Sequence, residues 1–229
     1  RIPLDKPEDR SRGNSESTAF HEVWPGHHLQ VATFQAIEGL HPVTSLIWFS
    51  GPGEGWARYS EALAEEMGLY TTVTGPILRR AWPARGMVVD PGIHLFGWTR
   101  EEAIEFMMEA GRFPESMGDE MVDRIAILPG QLTAYDSGGL EILALRRQAE
   151  EALGAAGIDA AVDVSGRDVT VTGSPSDRAE AESVVGDING VRVVYWNDAA
   201  ESAATETPET TPTPEPARTS TTQTTSSPS

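Results

Sequence analysis

The sequence predicts a mainly α-helical chain followed by a small α/β module and a tail without structure. Three observations carry that reading. Apolar residues recur at helical spacing through the first two thirds of the chain, up to about Leu153. Between about Gly157 and Asp198 the pattern changes to strict alternation around a glycine-containing turn. From Ala199 to Ser229 the chain is Thr, Ser, Pro and Glu with almost no large apolar residue, too little to offset the entropy of ordering. The expected domains are residues 1–154, 157–198 and 199–229.

The helical zone opens with a polar, proline-punctuated lead-in. Phe20, Val23, Trp24, Val31 and Phe34 then recur at helical spacing, and a packed amphipathic helix is expected there. "EGWARYSEALAEEMGLY" repeats the pattern with Trp56, Tyr59, Leu63 and Met67. In "GWTREEAIEFMMEAG", Thr99 is the expected N-cap, with Glu102 three residues on to complete a capping box and Gly111 at the far end. A last helix is expected from about Gly139 to Leu153, ending at Gly154. In the second zone "AAVDVSGRDVTVTG" reads as a hairpin, "PSDRAEAESVVGDI" as a short helix and "GVRVVYWN" as a strand, giving the order β-β-α-β.

Composition excludes several function classes. Lys and Arg number 17 against 35 Asp and Glu, and a formal charge of −18 leaves no basic surface for nucleic-acid phosphates. There is no cysteine, so disulfides and thiolate ligands are excluded and any metal must rest on His, Asp or Glu. No run of eighteen apolar residues suggests a membrane span. The chain starts at Arg1 with no visible export signal, and it reads as a piece of a longer protein. Compartment and oligomeric state are left open.

The stretch "HEVWPGHHLQ" concentrates the chemistry. A His-Glu pair followed by another His within a turn or two suits a single-zinc hydrolase: two imidazoles hold the metal, and the carboxylate takes a proton from water. Here the spacing exceeds HExxH, since His27 and His28 lie six and seven residues after His21. On an unbroken helix His28 would share the face of His21 but sit roughly 10 Å further along the axis. Pro25 and Gly26 permit a bulge that would bring His27 into the second position. The spacing favours His27 and leaves His28 open. The third ligand is expected from a neighbouring helix, with Glu54 in "GPGEGWARYSE" first and Glu61 in reserve. Glu54 also falls opposite the Trp56 and Leu63 stripe, where a surface pair with Arg58 is the alternative.

The blocks "TAFHEVWPGHHLQ", "GEGWARYSEALAEEMGLY", "MVVDPGIHLFGWTREEAIEFM" and "PGQLTAYDSGGLEILALR" resemble, in order and spacing, the bacterial domain of unknown function 885 family over about Arg1 to Gly154. That family resembles helical zinc metallopeptidases of the gluzincin type. The resemblance implies zinc as cofactor and a peptide as substrate. It implies His21 with His27 or His28, and Glu54, as ligands, and Glu22 as general base. Tyr135 and His94 are the implied groups for the developing oxyanion, and Arg85 is a candidate for a substrate carboxylate unless it pairs with Asp90. Pro91, Ile125 and Asp136 depart from the family pattern of Thr, Tyr and Lys at those places, and the long helical region that usually precedes "HEVWPGHH" is not in this sequence. Gly157 to Asp198 resembles a bacterial OsmY and nodulation (BON) module, which implies contact with membrane phospholipid or other envelope components. Two functions are therefore expected to compete: a zinc-dependent peptidase with weak or absent turnover in this chain, and a non-catalytic envelope-binding protein that works through the BON-like module.

Overall fold

The computed structural model describes residues 11–39, 41, 43, 47–109 and 115–199. Over these, the helical zone consists of α1 (Arg12–Glu22), α2 (His27–Ala36), α3 (Ser50–Glu66), α4 (Thr74–His94), α5 (Arg100–Met108), α6 (Glu115–Ile127) and α7 (Gln131–Ala155). The module follows as β1 (Ala161–Ser165), β2 (Asp168–Gly173), α8 (Arg178–Gly186) and β3 (Val193–Asp198). The mainly helical class and the β-β-α-β order agree with the sequence reading. Residues 200–229, expected to lack structure, lie outside the described residues, as does Gly111.

Local chemistry explains the starts of α1 and α5. The Ser11 hydroxyl accepts from the Asn14 N–H at 3.1 Å and starts α1. The capping box of α5 forms as expected, with the Glu102 N–H on Thr99 at 3.2 Å and the Thr99 N–H on Glu102 at 2.8 Å. Other expectations are corrected. The first motif is not one packed helix: α1 stops at Glu22, α2 starts at His27, and Val23, Trp24, Val31 and Phe34 are exposed. Pro25 has no N–H to continue the helix. Gly26 lies so close to the preceding turn that a Cβ there would stand 1.8 Å from the His21 carbonyl oxygen. The last helix begins at Gln131 rather than near Gly139. Buried Asp90 of α4 accepts from the N–H groups of Gly130 (2.9 Å) and Thr133 (3.2 Å) and from the Thr133 hydroxyl (3.0 Å), which satisfies the first turn of α7 from a distant segment. Nor does α7 stop at Gly154; it runs to Ala155 and is turned out by Gly157 at φ 75°.

Helices α3 and α7 form the backbone of the fold, and glycines set their separation. A Cβ on Gly55 would lie 2.5 Å from the Gly138 carbonyl carbon, and one on Gly138 would lie 2.1 Å from the Gly51 carbonyl oxygen. The two main chains therefore touch, and side chains flanking this seam on either helix meet each other. On one side a core of Val89, Met107, Val122, Ile125 and Leu132 ties α4, α5 and α6 to the start of α7. At the other end Tyr59, Leu145, Ala149 and Leu153 pack against the sheet.

The sheet is mixed. Strands β1 and β2 are antiparallel with Val162 opposite Val171 and Val164 opposite Val169, and β3 lies parallel to β2 with α8 as the crossover. The alternate valines are buried on one face and belong to the same cluster as the α7 leucines. Each such burial contributes about 1.5–3 kcal/mol. Tyr59 of α3 also donates to Asp163 of β1 at 3.0 Å. The module thus continues the core of the helical region. Among the described residues no helix is long and apolar enough to cross a membrane.

Candidate metal centre

Three side chains from three helices converge on one point. His21 ends α1, His27 begins α2 and Glu54 lies in the first turns of α3, and one donor atom from each falls within 4.8 Å of the others. His21 Nε2 is 3.4 Å and His27 Nε2 is 3.3 Å from the same Glu54 Oε2. Zinc with arms of about 2.0–2.1 Å in tetrahedral array places neighbouring ligand atoms about 3.3 Å apart. The two imidazole–carboxylate separations match that edge, and with all three donor atoms within 4.8 Å of one another the residue types suit a divalent ion of this kind.

The outer contacts fit as well. His21 Nδ1 is 2.8 Å from Glu61 Oε1, and His27 Nδ1 is 3.2 Å from Gln30 Oε1. A proton on each Nδ1, held by an oxygen acceptor, leaves Nε2 as the free lone pair. The second oxygen of Glu54 accepts from Gln131 Nε2 at 3.1 Å. Glu61 is held in turn by Arg58 Nη1 at 2.5 Å, and Arg58 Nε donates to Asp136 of α7 at 2.7 Å. All three candidate ligands therefore carry a second hydrogen bond that orients them.

Without a cation the same groups share protons. Burial opposes charging of His21, but its contacts with Glu54 and Glu61 outweigh this and raise its pKa to about 9. Burial likewise pushes the Glu54 carboxyl up, and the two imidazoles outweigh that and hold it far below the usual carboxylate range. For His27 the contact with Glu54 raises the pKa over the opposing effect of burial.

A cavity of about 310 Å³ opens beside His21, lined among others by Glu22, Arg58, Glu61, Arg124 and Tyr135. Glu22, at the end of α1, is exposed and next in sequence to His21. The Tyr135 ring stacks on His21 with centroids 5.5 Å apart and planes 13° from parallel. Burial, then the charge of Glu54, push the Tyr135 phenol up to about 12, so it stays a donor at neutral pH.

The other expected site residues lie elsewhere. His28 is exposed and outside the cluster. His94 Nε2 donates to the Ile125 carbonyl at 2.9 Å and does not line the cavity. Arg85 sits over the Phe106 ring at 4.9 Å and donates to the Phe106 carbonyl; Asp90, its expected alternative partner, caps α7 instead. Nor do Glu54 and Arg58 form a surface pair, since both are buried and Arg58 is taken by Glu61 and Asp136. Sequence reasoning did not single out Gln30, Arg58 or Gln131 as supports of the site. The available signal was helical spacing: Arg58 precedes Glu61 by three residues and Gln30 follows His27 by three, whereas nothing near Gln131 in the sequence points to Glu54.

The model of the bacterial protein of unknown function family DUF885 matches residues 2–160. The chain belongs to this family. Among solved structures, this DUF885 chain is similar to a candidate lipoprotein from Colwellia psychrerythraea, at 35% identity and a TM-score of 0.60 over 67% of this chain and 27% of that one. It is also similar to a candidate lipoprotein of unknown function from Shewanella oneidensis, at 27% identity and a TM-score of 0.56 over 63% of this chain and 27% of that one. The DUF885 chain therefore spans about a quarter of the length of these relatives. A comparison with curated proteins gives no match.

Proposed function

We propose that the chain is the C-terminal catalytic part of a zinc-dependent peptidase, with His21, His27 and Glu54 as the zinc ligands. The observation that carries this is the convergence of two imidazole Nε2 atoms on one carboxylate oxygen, each imidazole being held from behind through Nδ1. A bare ion-pair cluster needs no such tautomer control, whereas a metal ligand does. Zinc held there would supply a Lewis acid that polarises a substrate carbonyl and makes water easier to deprotonate.

The chain's own residues account for the rest of the hydrolysis. Glu22 lines the cavity with no ion pair among the described residues, free to take a proton from water. The water oxygen bonds to the peptide carbonyl carbon, the C–N bond breaks, and Glu22 passes the proton to the departing amine. The Tyr135 hydroxyl, on a ring that stacks on His21, would donate to the oxygen on which negative charge develops. His94, bonded to the Ile125 carbonyl, has no role in this reading.

Elemental analysis and peptide hydrolysis by purified variants test the reading. The chain should carry close to one zinc, His21→Ala should lose the metal, and Glu22→Gln should keep it while abolishing whatever hydrolysis the chain performs. Zinc absent from the wild-type chain after incubation with the metal would end the proposal.

A second reading, attachment of the chain to the cell envelope through a BON-like module, draws on the β-β-α-β order, the exposed Val193 and Tyr195 of β3, and the lipoprotein descriptions of the two matched proteins. Co-sedimentation of the full chain with phospholipid vesicles tests it. A chain left wholly in the supernatant would remove this reading and leave the peptidase proposal untouched.

A further inference from the structure

The cavity beside His21 is lined by three arginines, two glutamates and His21 itself, and their pairing is uneven. His21 is held by Glu61 and Glu54, Arg58 by Glu61 and Asp136, and Arg79 by Glu65. Among the described residues Glu22 and Arg124 have no counter-ion. For Glu22 the proposed function supplies the reason. For Arg124 it supplies none, and in a chain with 35 acidic residues against 17 basic ones a half-buried guanidinium without a carboxylate calls for an explanation.

Arg124 is well fixed by neutral groups. Its Nε and Nη2 donate to Gln131 Oε1 at 3.2 and 2.8 Å, and Nη2 also reaches the Tyr135 oxygen at 3.3 Å. Its Nη1 makes no hydrogen bond among the described residues. The Nε and Nη2 groups are thus spent on neutral acceptors, and Nη1 keeps its N–H groups for one charge-assisted hydrogen bond to a carboxylate in the cavity that Arg124 lines. The anchor also sets the distance from the metal ligands. Gln131 takes Arg124 on its amide oxygen and gives its amide N–H to Glu54 at 3.1 Å, so a single side-chain amide separates the cation from a candidate zinc ligand. In a peptide, only N and Cα stand between the carbonyl carbon of the last amide bond and the terminal carboxylate carbon, a span of about 4 Å at most. A terminal carboxylate on Arg124 would therefore keep that last amide bond within the cavity that Glu22, His21 and Tyr135 also line.

We propose that Arg124 is the receptor for the substrate's free C-terminal carboxylate, and that the substrate is a peptide end cut at its last amide bond. The inference deepens the peptidase reading and rests on it, but the recognition step is separable from the metal. The test is calorimetric titration of the full chain, with and without bound zinc, using 3-phenylpropionate and its uncharged partner 3-phenylpropionamide. The acid should bind roughly tenfold or more tighter than the amide, the worth of a charge-assisted hydrogen-bonded pair. Arg124→Gln should abolish that preference and leave zinc content unchanged, and Arg124→Lys should restore part of it. Equal binding of acid and amide by the wild-type chain overturns the proposal without needing any variant to fold. So does a preference that survives in folded Arg124→Gln, or absence of saturable binding by the acid. Failure to take up zinc, with the Arg124-dependent preference intact in the metal-free chain, would instead remove the peptidase reading and keep the carboxylate site.

Discussion

Substituting alanine for two glycines of the same helix should move stability in opposite directions. In α7, a Cβ on Gly138 would lie 2.1 Å from the Gly51 carbonyl oxygen and 2.8 Å from the Gly55 Cα, both main-chain atoms that cannot rotate away. Ordinary contact needs about 3.5 Å, so α3 and α7 must part locally by more than 1 Å. Overpacking of this kind costs about 1–3 kcal/mol. Gly154, near the other end of α7, has nothing within 4 Å of its added Cβ, and Gly154→Ala should stabilise by about 0.5–1 kcal/mol through helix propensity alone. At about 2–4 °C per kcal/mol for a domain of this size, Tm should fall by roughly 2–12 °C in Gly138→Ala and rise by roughly 1–4 °C in Gly154→Ala. The same separation would stretch the Gln131 bond to Glu54 and the Arg58 bond to Asp136, both of which cross the seam. Zinc affinity, measured by competition with a chromophoric chelator, should therefore drop in Gly138→Ala and not in Gly154→Ala. Thermal melts that leave both variants at the wild-type Tm, or a Gly138→Ala chain that binds zinc as tightly as wild type, would refute the argument that main-chain contact sets the site.

Further outcomes follow from the same geometry. His27→Ala should abolish stoichiometric zinc uptake while His28→Ala leaves it intact, because only His27 reaches Glu54; the reverse result would assign the ligand to His28. Glu61→Gln should keep the metal but weaken its binding by about 10–100-fold, as loss of a carboxylate behind a ligating imidazole does, and an unchanged affinity would show that Glu61 does not orient His21. In the metal-free chain the raised pKa of His21 gives stability that is complete below its ordinary value of 6.5 and is lost as pH rises through about 9; chemical denaturation across that range should show the decline. Glu54 acts at the other end, its stabilisation being present above 4.5 and lost as pH falls through its lowered value. Zinc must displace the His21 proton, so its apparent affinity should strengthen as pH rises from about 6 toward 9, and a flat profile would place the metal elsewhere.

Much of this was legible in residue order because it depends on neighbours along the chain. Thr99 and Glu102 form a capping box within one turn, alternating valines bury one face of a hairpin, and His21, His27 and Glu54 are candidate ligands by residue type. What was misread depends on groups far apart in the chain. The early start of α7 could not be seen because its cap is Asp90, forty residues before Gly130. The apolar spacing around Val23 and Val31 suggested one buried stripe, yet it straddles a break, and the residues on either side of it are exposed.

Sequence alone therefore determined the helical class, the β-β-α-β order and the cast of candidate ligands, since side-chain chemistry and periodicity are properties of a single segment. Tertiary structure alone decided that His27 rather than His28 meets His21, that Glu61 stands behind an imidazole, and that Arg124 has no acidic partner among the described residues. Those choices depend on distances between helices. They are set by Gly26 lying against the His21 carbonyl and by Gly55 and Gly138 letting α3 and α7 touch, and no spacing along one helix encodes them.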